Sequence, residues 1–372
     1  MSDADIYIGL MSGTSIDSVD AVAVRFSGGK ITVLGSHSEA ISPQLKLDIL
    51  SLCQPGSDTV ALYAETDNVL GELFAQTSLN LMEQLNINPA HVVAIGSHGQ
   101  TIRHQPPTKT NGFSLQIGNP SLIAVRTKCP VVADFRRADM ALGGQGAPLV
   151  PAFHHRFLHR NNSRRVIVNI GGIANLTLLD GDRKCSGFDT GPGNMLLDSW
   201  CFKNRALSYD DKGAWAATGT SSKPLLKQVK QHPFFSMKPP KSTGREDFNL
   251  LWLEQQIAPF SLQPEDIQAT LTLLTANTIA EAITDLNQPV DDVFVCGGGA
   301  FNTELMKRLN QRLCELSLPA VKSTLDIGLD PKWIEACAFA WLAKRRIENK
   351  TGNLPTVTGA SKTTVLGGLY AP

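Results

Sequence analysis

The chain has no excess of either charge: 34 Lys and Arg balance 34 Asp and Glu across 372 residues. That argues against a broad, non-specific nucleic-acid surface, while leaving room for a local basic pocket. No CxxC pair occurs among the 7 cysteines. An odd, unspaced set reads as reduced thiols and speaks against a zinc site. No run approaches the roughly 20 apolar residues of a membrane span. The opening MSDADIYIGLMSG has neither the basic nor the apolar part of a secretory leader. The expectation is a cytoplasmic protein without membrane or nucleic-acid partners. The usual phosphate loops are also missing: there is no GxxxxGK[ST], and no GxGxxG between a strand and a helix.

What is present is a globular composition, 42% hydrophobic and 18% charged, in a chain long enough for two domains. YIGLMSGTSIDSVDAVAV (7–24) reads as two strands around a polar turn. RRVIVNIGGIANLTLL (164–179) repeats that pattern half a chain later. Two structurally related domains follow, each opening with a hairpin. Helices are expected over 43–52, 58–86, IQATLTLLTANTIAEAI and DPKWIEACAFAWLAKRR, from apolar residues at helical spacing.

Four polar glycine turns each end an apolar strand: MSGTS, NIGGIAN, DTGPGN and CGGGAFN. Glycine there lets backbone approach a ligand and aim N–H groups at phosphate oxygens. Asp189 closes a strand just before TGPGN; a carboxylate so placed serves as a general base, holds a metal–water shell, or caps the turn. Asp17 and Asp20 are similar, as turn caps or as residues that orient magnesium-bound water. His98 in SHGQT and Arg126 are weaker candidates. Arg136 and Arg137, beside Asp134 and Asp139, suggest an ion-pair network. Glu335 sits in an otherwise apolar helix, where a carboxylate needs a partner or a polar cavity.

GLMSGTSIDSVDAV, SHGQTI, ADFRRADMALGGQGAPLVP, NIGGIANLT, FDTGPGN, CGGGAFN and VLGGLYAP together resemble the anhydro-N-acetylmuramic acid kinases, from residue 8 almost to the C-terminus. The resemblance implies the actin-like ATPase superfold. That fold is α/β, with two related domains, each a mixed five-stranded sheet with flanking helices, and ATP in the cleft between them. The approximate domains are 1–150 and 151–372, with a C-terminal tail that returns to the first. It implies ATP-dependent phosphorylation of 1,6-anhydro-N-acetylmuramic acid with hydrolytic opening of the anhydro ring, in cell-wall recycling. The partners are ATP, Mg²⁺ and a small amino sugar, and a homodimer is plausible.

Carried onto this chain, the resemblance makes Asp189 the base. It assigns ATP to Gly13, Thr14, Ser15, Ile16, Asp17, Ser18, Val19 and Asp20, to Gly171, Gly172 and Asn175, to Gly191, Gly193 and Asn194, and to Gly297, Gly298, Gly299 and Asn302. Substrate contacts fall to His98, Arg126 and Glu335. Asp17 or Asp20 takes the magnesium-water role, because Met11–Ser12 stands where the superfold usually has Asp. The family often has Gly where this chain has Ser18. The simpler reading is that this turn needs no left-handed residue there.

Overall fold

The structure, a computed structural model, describes residues 5–107, 112–181, 184–239 and 241–372. The chain divides into two compact units: the first holds the N-terminal part through Phe157 together with Trp333–Pro372, and the second is Leu158–Lys332. The first unit therefore extends past residue 150 and takes back forty C-terminal residues that the sequence reading had placed mainly in the second domain.

The first unit contains β1 (Ile6–Ser12), β2 (Ser18–Ser27), β3 (Lys30–Ala40), α1 (Pro43–Leu52) and α2 (Val60–Gln84). Next come β4 (Val92–Ser97), the small hairpin β5 (Gln100–Gln105) and β6 (Phe113–Ile117), α3 (Pro120–Thr127), β7 (Val131–Ala133), α4 (Arg137–Met140) and α5 (Val150–Phe157). The second unit runs through β8 (Arg165–Ile170), β9 (Ile173–Asp180), β10 (Lys184–Pro192), α6 (Met195–Arg205), α7 (Lys223–Val229), α8 (Leu250–Ile257) and α9 (Pro264–Thr284). It closes with β11 (Asp292–Cys296), α10 (Thr303–Glu315) and β12 (Val321–Ser323). The chain then re-enters the first unit with α11 (Ile334–Ile347), α12 (Pro355–Thr358) and β13 (Gly368–Tyr370).

Both sheets share one topology. In the first, β3-β2-β1 is an antiparallel meander, followed by β4 and β7 parallel to β1; in the second, β10-β9-β8 is the meander, followed by β11 and β12 parallel to β8. This is the duplication announced by the two hairpin patterns. The expected five-stranded sheet of the first unit gains a sixth strand, because β13 adds antiparallel to β7. That pairing covers an edge that would otherwise present unpaired backbone groups.

β1 carries no charged residue and is apolar up to its last residue, Ser12, because both of its faces are buried. Ile6, Ile8 and Leu10 enter a core with Leu70, Phe74 and Leu81 of α2. The opposite face is closed by α11, which rests directly on backbone. A Cβ on Gly9 would lie 1.8 Å from the Ala336 carbonyl oxygen, and one on Gly96 would lie 2.1 Å from that of Phe339. Glycine in both strands thus sets how near the C-terminal helix can come. In the second unit Val166, Val168 and Ile170 of β8 pack with Ile279 and Ile283 of α9 and with Leu305, Leu309 and Leu313, one stripe of α10 at helical spacing. Among the described residues no helix is long and apolar enough to cross a membrane.

Candidate active site

In the second unit the strand ends build one connected floor. Cys296, Asn169, Asn175 and Asp189 are cross-strand partners in turn, across β11, β8, β9 and β10. Direct partners project to the same face, so this is a polar row at one register. Asn169 is buried, and its Oδ1 accepts from Cys296 Sγ at 3.7 Å. Asp189 is 9% exposed, and its Oδ2 accepts the Thr243 N–H at 3.0 Å. The Asp189 N–H in turn donates to the Lys241 carbonyl at 3.1 Å. A register shift follows immediately, between Asp189 and Gly191, which re-aims the strand end as bulges beside active sites do.

The glycine turns meet beside this row. The N–H groups of Gly193, Asn194 and Met195 donate to the carbonyls of Gly172, Gly171 and Gly172 at 2.9, 2.8 and 3.1 Å. Asn194 Nδ2 donates to the Ile170 carbonyl at 3.3 Å, and Thr275 Oγ1 donates to the carbonyls of Pro192 and Gly193. Some glycines are demanded by this packing. A Cβ on Gly193 would lie 2.3 Å from the Gly171 oxygen, and one on Gly299 would lie 2.3 Å from Ile170 Cγ2. Gly297 has φ +81° and no room either. Others are not: a Cβ on Gly171 or Gly298 would meet nothing nearer than 3.5 Å, and neither residue has positive φ. Gly171 and Gly298 therefore leave space that the fold itself does not require. Asn302 is the N-cap of α10, accepting from the Leu305 N–H at 3.0 Å, so its side-chain oxygen already has a structural partner.

In the first unit the Ser12–Ser18 turn has the same character. The Ile16 N–H closes it onto the Gly13 carbonyl at 3.1 Å. A Cβ on Gly13 would meet nothing within 4 Å, so packing does not explain this glycine. The left-handed position is Ile16, with φ 55°, and Ser18 is ordinary strand, as the simpler reading held. A β-branched residue at positive φ is strained; here the Ile16 side chain is locked in the core. Ile16 and Val19 are buried in that core, so they can offer a ligand only backbone groups. Asp17 pairs with Lys46 at 2.6 Å. Asp20 accepts from Ser18 Oγ at 3.2 Å and from Ser38 Oγ. Ser12 Oγ donates to Gln100 Oε1 at 2.7 Å.

His98 is buried, with Nδ1 2.8 Å from the Gly99 carbonyl and Nε2 facing the Arg136 guanidinium at 2.7 Å. Burial first, and the Arg136 charge second, hold its pKa well below the usual histidine range. The imidazole is therefore neutral, an Nδ1–H donor whose Nε2 accepts from Arg136. Arg136 also donates to the Gly146 carbonyl at 2.7 Å, which ties the irregular 136–148 loop to the end of β4. Within the ion-pair network expected here, Arg137 faces Asp134 at 3.5 Å. The fully buried Asp139 accepts from neutral donors instead: Asn353 Nδ2 and Thr358 Oγ1 at 2.7 Å each, and the Gly146 N–H at 2.9 Å.

Arg126 is not brought to this cluster. It lies exposed on α3, donating to Glu72 of α2 at 2.7 Å. Glu335 stands half-buried in the first turn of α11. Lys241 and Thr243 escaped the sequence reading as Asp189 partners, although their irregular KPPKSTGRE stretch was visible. Lys241 Nζ lies 4.5 Å over the Phe234 ring and donates to the Phe234 carbonyl at 3.3 Å. Burial lowers its pKa, opposed by the charges of Asp285 and Asp189. Among the described residues no group of three or more His, Cys, Asp or Glu is placed to hold a metal ion.

The family model for anhydro-N-acetylmuramic acid kinase matches residues 5–372. The chain is 51% identical over 373 residues to the anhydro-N-acetylmuramic acid kinase of Shewanella denitrificans, covering 100% of both chains. It is 52% identical to that of Shewanella sp. (strain MR-7), covering 98% of each. Among solved structures it has a distant likeness to the activator of the 2-hydroxyisocaproyl-CoA dehydratase from Clostridium difficile, with TM-score 0.47 and 11% identity over 93% of this chain and 98% of that one. With a match that spans both units and every glycine turn described above, the chain belongs to the anhydro-N-acetylmuramic acid kinase family.

Proposed function

We propose that this protein phosphorylates 1,6-anhydro-N-acetylmuramic acid with ATP and opens its anhydro ring in the same reaction. The products are N-acetylmuramic acid 6-phosphate and ADP, and the work is cytoplasmic recycling of cell-wall sugar. Family membership supports the substrate and the phosphoryl donor. The observation that carries the chemistry is Asp189, a nearly buried carboxylate closing a polar row and held through one oxygen by the Thr243 N–H.

In the anhydro sugar the 6-oxygen has no proton to lose, so a kinase base has nothing to remove from it. Water must supply the missing atoms. Asp189 takes a proton from water as its oxygen bonds to the anomeric carbon. The bond from that carbon to the 6-oxygen breaks, and the freed 6-oxygen forms its bond to the γ-phosphorus as ADP leaves. The Thr243 N–H keeps Asp189 in one orientation. Phosphate oxygens are assigned to the Gly13–Asp20 turn and to the Gly171 and Gly298 turns, whose spare room admits backbone close to a ligand.

Mg²⁺ commonly rides on nucleotide phosphates with only one or two protein carboxylates and several waters. Such an ion needs no dedicated protein cage, and a lone carboxylate suffices for it. When bound it would neutralise phosphate charge. Asp20, oriented by two serine hydroxyls, fits the role of holding its water better than Asp17, which is engaged with Lys46.

Turnover in ¹⁸O-labelled water tests the proposal. Label on the anomeric oxygen of the phosphorylated product is expected; phosphorylation without label would leave a simple hydroxyl kinase. Ring opening without ATP would point to a glycoside hydrolase.

A further inference from the structure

At the far end of the first unit's sheet lies a pocket of about 250 Å³. It opens between the β2–β3 turn, the end of α5 and the end of α11. Its charged lining is Lys30, Arg156, Lys344, Arg345 and Lys350 against the single carboxylate of Glu348. Its apolar lining is Phe26, Phe157 and Trp341, with Phe26 and Phe157 in ring contact at 5.6 Å. From Ser18 to Ser27, β2 rises about 3.3 Å per residue. The pocket therefore stands roughly 30 Å along the strand from the phosphate turn and is separate from it.

Cations gather at helix C-termini for the sake of the helix dipole, and that explains part of this set. Lys344 pairs with Glu348 at 2.5 Å, and Lys350 shares the same carboxylate at 3.0 Å. It does not explain Lys30, which comes from a hairpin, nor why the last turns of two different helices bring Arg156 and Arg345 together. Burial, and then the Arg156 charge, lower the Arg345 pKa against the pull of Glu348. Arg156 lies 5.3 Å over the Phe157 ring, and its guanidinium is 3.2 Å from where a Cβ of Gly29 would stand. Neither Lys30 nor Arg156 has an acidic partner among the described residues. Like charges held together over an aromatic floor are relieved by an anion with an apolar body.

We propose that this pocket binds a small phosphate ester, its phosphate between Lys30 and Arg156 and its apolar part on Phe26, Phe157 and Trp341. Gly28 and Gly29 keep the hairpin low over the pocket mouth, both at positive φ. Bound there, the ligand would join β2–β3, α5 and α11, the last of which rests on β1 and β4 through Gly9 and Gly96.

The test is calorimetric titration of phenyl phosphate into the full-length protein saturated with a non-hydrolysable ATP analogue. One site per chain is expected, weakened at least tenfold by Lys30→Glu with Arg156→Glu, since two charge-assisted contacts are lost. Lys30→Gln, on an exposed turn, should weaken it severalfold with an unchanged melting temperature. Inorganic phosphate should bind more weakly than phenyl phosphate. The proposal is overturned by absent binding, by equal affinity in the variants, or by equal affinity for the two probes. It is also overturned if the variants change the oligomeric mass, which would make the pocket an interface between copies. Failure of the ATP analogue to bind would count against the proposed function instead.

Discussion

The Thr243 N–H donates to Oδ2 of Asp189 at 3.0 Å, across 54 residues of sequence. A loop with no regular structure thereby fixes the carboxylate proposed as the base. Asp189→Asn keeps an oxygen for that N–H, so the fold and the affinity for ATP should persist while turnover falls roughly 10²–10⁴-fold. Steady-state kinetics beside ATP calorimetry decide it. Loss of ATP binding in this variant would show that Asp189 is structural.

Gly13→Ala should separate ligand binding from stability. A Cβ there meets nothing within 4 Å, so the melting temperature should hold. The same methyl group would stand where phosphate is proposed to approach, and affinity for ATP should drop by about tenfold, near 1.4 kcal/mol. Unchanged affinity would remove this turn from the nucleotide site.

Gly9→Ala should do the reverse. Its Cβ would sit 1.8 Å from the Ala336 oxygen, and α11 must move away or the strand must bend. A destabilisation of about 3 kcal/mol is expected from overpacking, read as a lower urea midpoint. An unchanged midpoint would mean that α11 does not press on β1 as described.

Stability should fall as the solution is acidified below about pH 6.5. Burial holds His104 near 4 and His154 near 3, and His98 lies well below its usual value. In this range the unfolded chain binds protons that the folded one refuses, so each histidine's contribution is complete above pH 6.5 and is lost as pH falls toward its folded value. His104→Gln should reduce the slope of unfolding free energy between pH 6 and 5 by up to about 1.4 kcal/mol per pH unit. An unaltered slope would mean that His104 is protonated in the fold.

The two acidic residues of the proposed phosphate turn should differ. Asp20→Asn is expected to raise the Mg²⁺ concentration needed for half-maximal turnover more than Asp17→Asn does, because Asp17 is engaged by Lys46. If neither substitution alters the Mg²⁺ dependence, neither residue holds the metal's water.

The glycine turns of the candidate site were legible because their motifs are local. A turn that must approach phosphate needs glycine in the turn itself, so MSGTS, NIGGIAN, DTGPGN and CGGGAFN stood out individually. What each glycine is for was not legible. Gly193 and Gly299 answer to packing, whereas Gly13, Gly171 and Gly298 do not, and that difference lies in atoms far away in the chain. Asn302 looked like its neighbours and is a helix cap. Arg126 looked like a substrate contact and lies on an outer helix face with Glu72.

The sequence by itself determined the alternation of strands and helices, the repeated hairpin and the polar turns, since these follow from periodicity and backbone chemistry over a few residues. Only the tertiary structure decided that the segment returning to the first unit begins as early as residue 333, that Asp139 is held by Asn353 and Thr358, and that Asp189 is held by Thr243. Those contacts join segments 54 to 219 residues apart. Their partners are chosen by which groups packing brings together and leaves needing a hydrogen bond, and no local pattern encodes that.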